Sequence, residues 1–108
     1  MKIQTVFKRL KGFKSVSNME SARGNDVPNQ YIVWFENGKA FFSYSSLIAV
    51  KLWTKDKGVE TYLTGHWDYS NTTGKYRNDF LGENKGITLK KIDSGHYRLL
   101  EGDPRRYS

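Results

Sequence analysis

Residues 31–44, YIVWFENGKAFFSY, restrict the choice of fold more than any other part of this chain. Tyr31–Phe35 and Ala40–Tyr44 are rich in β-branched and aromatic residues, and Glu36-Asn37-Gly38-Lys39 lies between them. Asn-Gly between two such runs is the strongest short hairpin signal, because both turn residues tolerate positive φ. Ile32, Trp34, Phe41 and Phe42 would supply the cross-strand packing. Leu47–Trp53 (47–53) follows as a near-continuous apolar run, the pattern of a strand buried on both faces. A polar turn at 54–58 leads to a fourth strand, Val59–Leu63 (59–63). Residues 31–63 therefore predict an antiparallel meander.

The flanks are read against that meander. Within residues 2–13, Ile3, Val6, Phe7, Leu10 and Phe13 follow helical spacing, whereas Ile3, Thr5 and Phe7 alternate as a strand does. A helix or a docked arm is the preferred reading, and Gly12 ends it in either case. Residues 14–30 are poor in apolar side chains and rich in Ser, Asn and Gly, which predicts a flexible loop with a turn at Gly24-Asn25-Asp26; the segment is long for a structureless connection, so the alternative is an element hidden in part of it. Ser70, Thr72 and Thr73 are able N-caps, Tyr76, Phe80 and Leu81 form an apolar stripe, and Gly82 suits a left-handed helix end. The spacing predicts a short helix over 71–81. Ile87–Ile92 and His96–Leu100 flank Asp93-Ser94-Gly95 and predict a second hairpin, 87–100, followed by a frayed tail at 101–108. The fold class expected is α+β: one domain, 1–108, with an antiparallel sheet of five to six strands.

The chain carries 18 Lys and Arg against 11 Asp and Glu, a formal charge of +7. Such a balance favours anionic partners, nucleic acid foremost. There is no cysteine, which excludes disulfides and thiolate metal sites. No apolar run approaches the roughly 20 residues of a membrane span. The start, Met1-Lys2-Ile3-Gln4, lacks the apolar core of a signal peptide. The expectation is a soluble protein of the cytoplasm.

The richest stretch for function is His66–Gly82, HWDYSNTTGKYRNDFLG. In one reading Trp67, Tyr69, Tyr76 and Phe80 clamp the helix to the sheet and the hydroxyls cap it. In the other, the helix start with Thr72, Thr73, Lys75 and Arg77 is an anion site, where free N–H groups and the dipole favour negative charge. Gly74-Lys75 lacks the glycine spacing of a P-loop. Lys90 and Arg98 extend the candidate basic face, although Lys90 and Lys91 would point to opposite sides of a regular strand. Trp67 and Tyr69 are the alternative candidates, as anchors for a protein partner.

Ser-Tyr-Ser-Ser-Leu-Ile-Ala-Val (43–50), Thr-Tyr-Leu (61–63) and Trp-Asp-Tyr-Ser-Asn-Thr-Thr-Gly-Lys-Tyr-Arg-Asn-Asp-Phe-Leu (67–81) resemble a family of small, uncharacterised bacteriophage and mobile-element proteins. Its members share an SY…IA…YL…W-x-YS-x-TT-x-K-x-x-x-x-FL signature. The resemblance covers residues 31–82 and implies a mobile-element setting in a bacterial host, without implying any chemistry.

For catalysis the sequence offers little. His66 and His96 stand thirty positions apart, and neither belongs to a ligand or triad spacing. The expected function is non-enzymatic binding, without metal or cofactor, of nucleic acid through a basic face. The alternatives are a module that engages a host or phage protein through the aromatic loop and, less favoured, a small enzyme.

Overall fold

The computed structural model describes residues 1–107. One six-stranded sheet, with strands in sequence order, organises the chain. The strands are β1 (Phe13–Glu20), β2 (Asp26–Phe35), β3 (Gly38–Ser43), β4 (Ser46–Thr54), β5 (Gly58–Leu63) and β6 (Arg98–Leu99). The first five form an antiparallel meander, and β6 joins β5 in parallel. Among the described residues, three α-helices, α1 (Ile3–Phe7), α2 (Asn71–Leu81) and α3 (Lys85–Asp93), complete the α+β fold.

β4 is the central strand, and Leu47 to Val50 are fully buried. Its ladder with β3 slips between Phe41 and Phe42, so that Ile48 and Ala49 turn to the same side. This bulge explains an apolar run that does not alternate. On one face Ile3, Val6 and Leu10 pack with Phe42, Leu47, Val50 and Tyr62. On the other, Phe41, Ile48 and Leu63 meet Tyr76, Phe80 and Leu81 of α2. Phe41 and Phe80 stack with ring centroids 5.7 Å apart.

The hairpin at 31–44 is present, but its turn differs from expectation. Phe35 pairs with Gly38, leaving Glu36-Asn37 as the two-residue connection, and neither Asn37 nor Gly38 has positive φ. Asn37 is a bracket instead: its Oδ1 accepts from the Lys11 amide at 2.7 Å and its Nδ2 donates to the Arg9 carbonyl at 2.7 Å. The left-handed pair is Tyr44-Ser45, with φ of 49° and 69°, which joins Ser43 to Ser46. Both φ values are positive, as in the primed turns that match strand twist.

Three expectations are corrected. Residues 14–30 are not a loop: most of them form β1 and the start of β2, joined by a turn at 21–25. β1 is an outer strand with mostly exposed side chains, so its ladder needs little apolar pattern. Asn29, at φ 66°, and a register slip after Asn18 accommodate the Pro28 segment. The hairpin over 87–100 is also absent. Asn84 caps α3 by accepting from the Ile87 amide at 2.9 Å. Lys90 and Lys91 occupy its last turn, where cations suit the dipole. Gly95, at φ 81°, follows the end of this helix rather than closing a hairpin. Finally, residues 101–107 are tied down. The Ile3 amide donates to the Glu101 carbonyl at 2.8 Å, the Glu101 amide donates to the Met1 carbonyl at 2.9 Å, and the 3-10 turn Pro104–Tyr107 lies against β4. The expected amino-terminal helix is there, shortened to five residues before Gly12, at φ 71°, redirects the chain.

Candidate functional site

The start of α2 uses most of its own polar groups. Ser70 Oγ accepts from the Thr73 amide at 3.1 Å, the capping role read from the sequence. Thr73 is fully buried, and its Oγ1 lies 2.9 Å from Ser43 Oγ and 3.1 Å from Ser70 Oγ. Of the residues expected there for anion binding, only Thr72 and Lys75 face solvent.

Arg77 is the main departure. Its expected place is the exposed helix surface, but it is 1% exposed. Its guanidinium donates to the Trp67 carbonyl at 2.8 Å and the Asn78 side chain at 2.9 Å, and lies 3.3 Å from Asp68. It also covers the Trp67 ring at 5.1 Å. Lys85, at 2.6 Å, and Arg77 hold the Asp68 carboxyl below its ordinary pKa, outweighing its partial burial. Arg77 with Trp67 is thus a clamp that ties the loop before α2 to the helix. The two expected protein anchors separate: Trp67 belongs to this clamp, while Tyr69 is 63% exposed and stacks on His66 at 5.0 Å.

Lys75 on α2, Lys90 on α3 and Arg98 on β6 are exposed on three separate elements. No hydrogen bond, ion pair or ring contact among the described residues links them. Lys91 is drawn into a different group, in which its ammonium, at 2.7 Å, and the Tyr97 hydroxyl, at 2.8 Å, both donate to Glu83 Oε1. Thr88 donates to Glu83 Oε2 at 2.7 Å. Burial alone would raise the Glu83 pKa, but these donors outweigh it and hold it below the ordinary 4.5. Because the folded value is depressed, this stabilisation is complete above the unfolded pKa and disappears as pH falls through the folded one. Thermal unfolding midpoints are therefore expected to drop below about pH 4.5. Glu83→Gln should flatten that drop and cost about 2 kcal/mol at neutral pH, in the range for hydrogen bonds to a charged group.

A second set of residues, not anticipated from the sequence, forms a ladder across the sheet face that carries α2. Trp34 pairs with Lys39, Lys39 with Lys51, and Lys51 with Thr61. Trp53, two positions beyond Lys51 on the same face, is 40% exposed. The Lys39 ammonium lies 5.1 Å from the Trp34 ring and 4.9 Å from the Phe80 ring, and the Lys51 ammonium lies 5.6 Å from the same Phe80 ring. Neither lysine forms an ion pair among the described residues. Burial lowers the pKa of both; the Lys39 charge lowers that of Lys51 further, with a partial offset from Glu83. Directly opposed like charges destabilise a sheet, so this pair is held at a cost. A readable signal existed: a two-residue turn at 36–37 places Trp34 opposite Lys39.

Among the described residues, no three His, Cys, Asp or Glu side chains converge as metal ligands, and no helix is long and apolar enough to cross a membrane. Neither a curated protein nor a solved structure matches the chain. Residues 1–95, which run from α1 through α3 and include the Arg77 clamp and the lysine ladder, match a family described as "Family of unknown function (DUF8033)". By that match the chain belongs to this family.

Proposed function

We propose that this protein binds single-stranded nucleic acid, without catalysis, across the ladder of Trp34, Lys39, Lys51 and Trp53. The observation that carries the reading is the cross-strand Lys39–Lys51 pair, half-buried and in no ion pair among the described residues. A phosphodiester would relieve their mutual repulsion and release counterions. Trp34 stands two strands from Lys51, about 10 Å at ordinary strand spacing, so that a base stacked on either tryptophan keeps its phosphate within lysine reach. The setting we infer is a bacteriophage or other mobile element acting in the cytoplasm of a bacterial host, on the resemblance of residues 31–82.

Fluorescence anisotropy with labelled single-stranded DNA and RNA tests this. Binding should weaken steeply with salt, with a slope of about −0.7 per phosphate contact. Lys39→Gln with Lys51→Gln should lower affinity at least about tenfold and reduce the slope by about 1.4, while Lys75→Gln has a smaller effect. No binding at low ionic strength, or binding indifferent to the double substitution, would refute the proposal.

A second reading, engagement of a host or phage protein, is favoured by one place. Exposed Tyr69 stacks on His66, whose Nδ1 lies 3.3 Å from Ser46 Oγ, next to the exposed, left-handed Tyr44. Amphipathic rings held in a fixed pose are common interface anchors.

A further inference from the structure

We infer that the free part of the β5 edge is a docking site for an extended acidic peptide, which adds to the sheet as a short strand. β6 pairs with β5 only at Tyr62 and Leu63, although β5 begins at Gly58. The Leu63 carbonyl accepts from the Leu100 amide at 2.7 Å, whereas the next residue, Thr64, turns its amide to Ile48 of β4. Successive residues of a strand direct their backbone groups to opposite edges. Val59 and Thr61 therefore face outward like Leu63. The N–H and C=O of Val59 and the N–H of Thr61 have no strand beside them, and among the described residues no bond outside the β4–β5 ladder reaches them.

These groups open into a cavity of about 380 Å³, whose lining also includes Arg9, Lys57, His96 and Arg98. Its one acid, Glu60, is already engaged: the Tyr62 hydroxyl donates to it at 2.9 Å and Arg9 lies 3.4 Å away. Lys57 and Arg98 are exposed and form no ion pair among the described residues. Paired strand residues share a face, so Arg98 projects on the side of Tyr62 and Glu60, near Arg9. An acidic side chain on that face of an added strand meets both guanidinium groups. A bare anion satisfies the cations but not the Val59 carbonyl, which needs a donor. An extended backbone supplies donor and acceptor in alternation, as strand addition requires.

The test uses the full chain, isotope-labelled, with an acetylated and amidated Val-Glu-Val-Glu-Val peptide as probe. Saturation should slow amide exchange at Val59 and Thr61 about tenfold or more, and Arg98→Glu should weaken binding by a similar factor. Val59→Pro removes an outward N–H and leaves the β4 ladder its bonds, the edge position where a sheet accepts proline; it should abolish binding. If that variant does not fold, Arg98→Glu still decides. Lys39→Gln with Lys51→Gln should leave peptide binding unchanged, which separates this site from the nucleic-acid ladder. Unchanged exchange at both amides, equal binding of the Val-Lys-Val-Lys-Val counterpart, or full competition by inorganic phosphate would overturn the inference.

Discussion

Replacing Arg77 with alanine is expected to lower stability by about 3 kcal/mol, read as a shift in the urea unfolding midpoint at unchanged slope. The side chain is buried, and its guanidinium bonds both the Trp67 carbonyl and the Asn78 side chain. Removing it leaves a cavity, an unsatisfied carbonyl and an Asp68 that keeps Lys85 as its cation. Arg77→Lys should recover little, because one ammonium cannot reproduce a planar fork that reaches several acceptors while lying over an indole. Lys75→Ala, two positions earlier and exposed, should stay within about 0.5 kcal/mol. Equal small effects at both positions would mean that Arg77 is not a clamp.

A comparable loss, again about 3 kcal/mol and at the upper end for over-packing, is expected from Gly38→Ala. A Cβ at Gly38 would run into the Lys51 carbonyl oxygen and approach Leu10 Cδ2 at 2.6 Å. The carbonyl belongs to the central strand and cannot rotate away without breaking the ladder. Gly24→Ala is the instructive comparison. Nothing lies within 4 Å of its added carbon, but its φ is +80°, so only the left-handed cost of about 1–2 kcal/mol applies. Measuring both variants by chemical denaturation separates lack of space from backbone conformation. An unchanged midpoint for Gly38→Ala would show that the β3–β4 contact can yield.

Gly38 also shows how sequence patterns can point to the right element for the wrong reason. Asn37-Gly38 correctly marks a hairpin, yet the glycine serves a close backbone approach, which only the register with β4 reveals. The α2 helix was legible from Ser70 to Gly82 because caps and apolar stripe are local signals. β1 was not, since a strand at the sheet margin needs backbone partners more than buried side chains. α3 was misread because Ile87 and Thr88 favour strands and Asp93-Ser94-Gly95 imitates a hairpin turn, although its cap at Asn84, bonded to the amide three residues on, is as local a signal as Ser70. Functional residues followed the same division. Arg77 has the sequence appearance of a surface cation, and burial is a tertiary fact. Lys39 and Lys51 lie twelve positions apart and become one feature only when β3 and β4 pair.

The bonds between Glu101 and the first three residues carry a consequence for the order of assembly. As the chain emerges from a ribosome, β1 to β5 can pair in succession, each with the strand just made. The backbone bonds that hold Ile3 in place wait for a residue nearly a hundred positions later, and closing so long a loop is entropically demanding. Until then the segment is held at its far end, where Asn37 brackets Arg9 and Lys11, but the backbone at Ile3 has no bond to Glu101. A chain halted before Glu101 would leave Ile3 and its apolar neighbours open to chaperones and proteases, so Glu101 acts as a latch for residues 1–3.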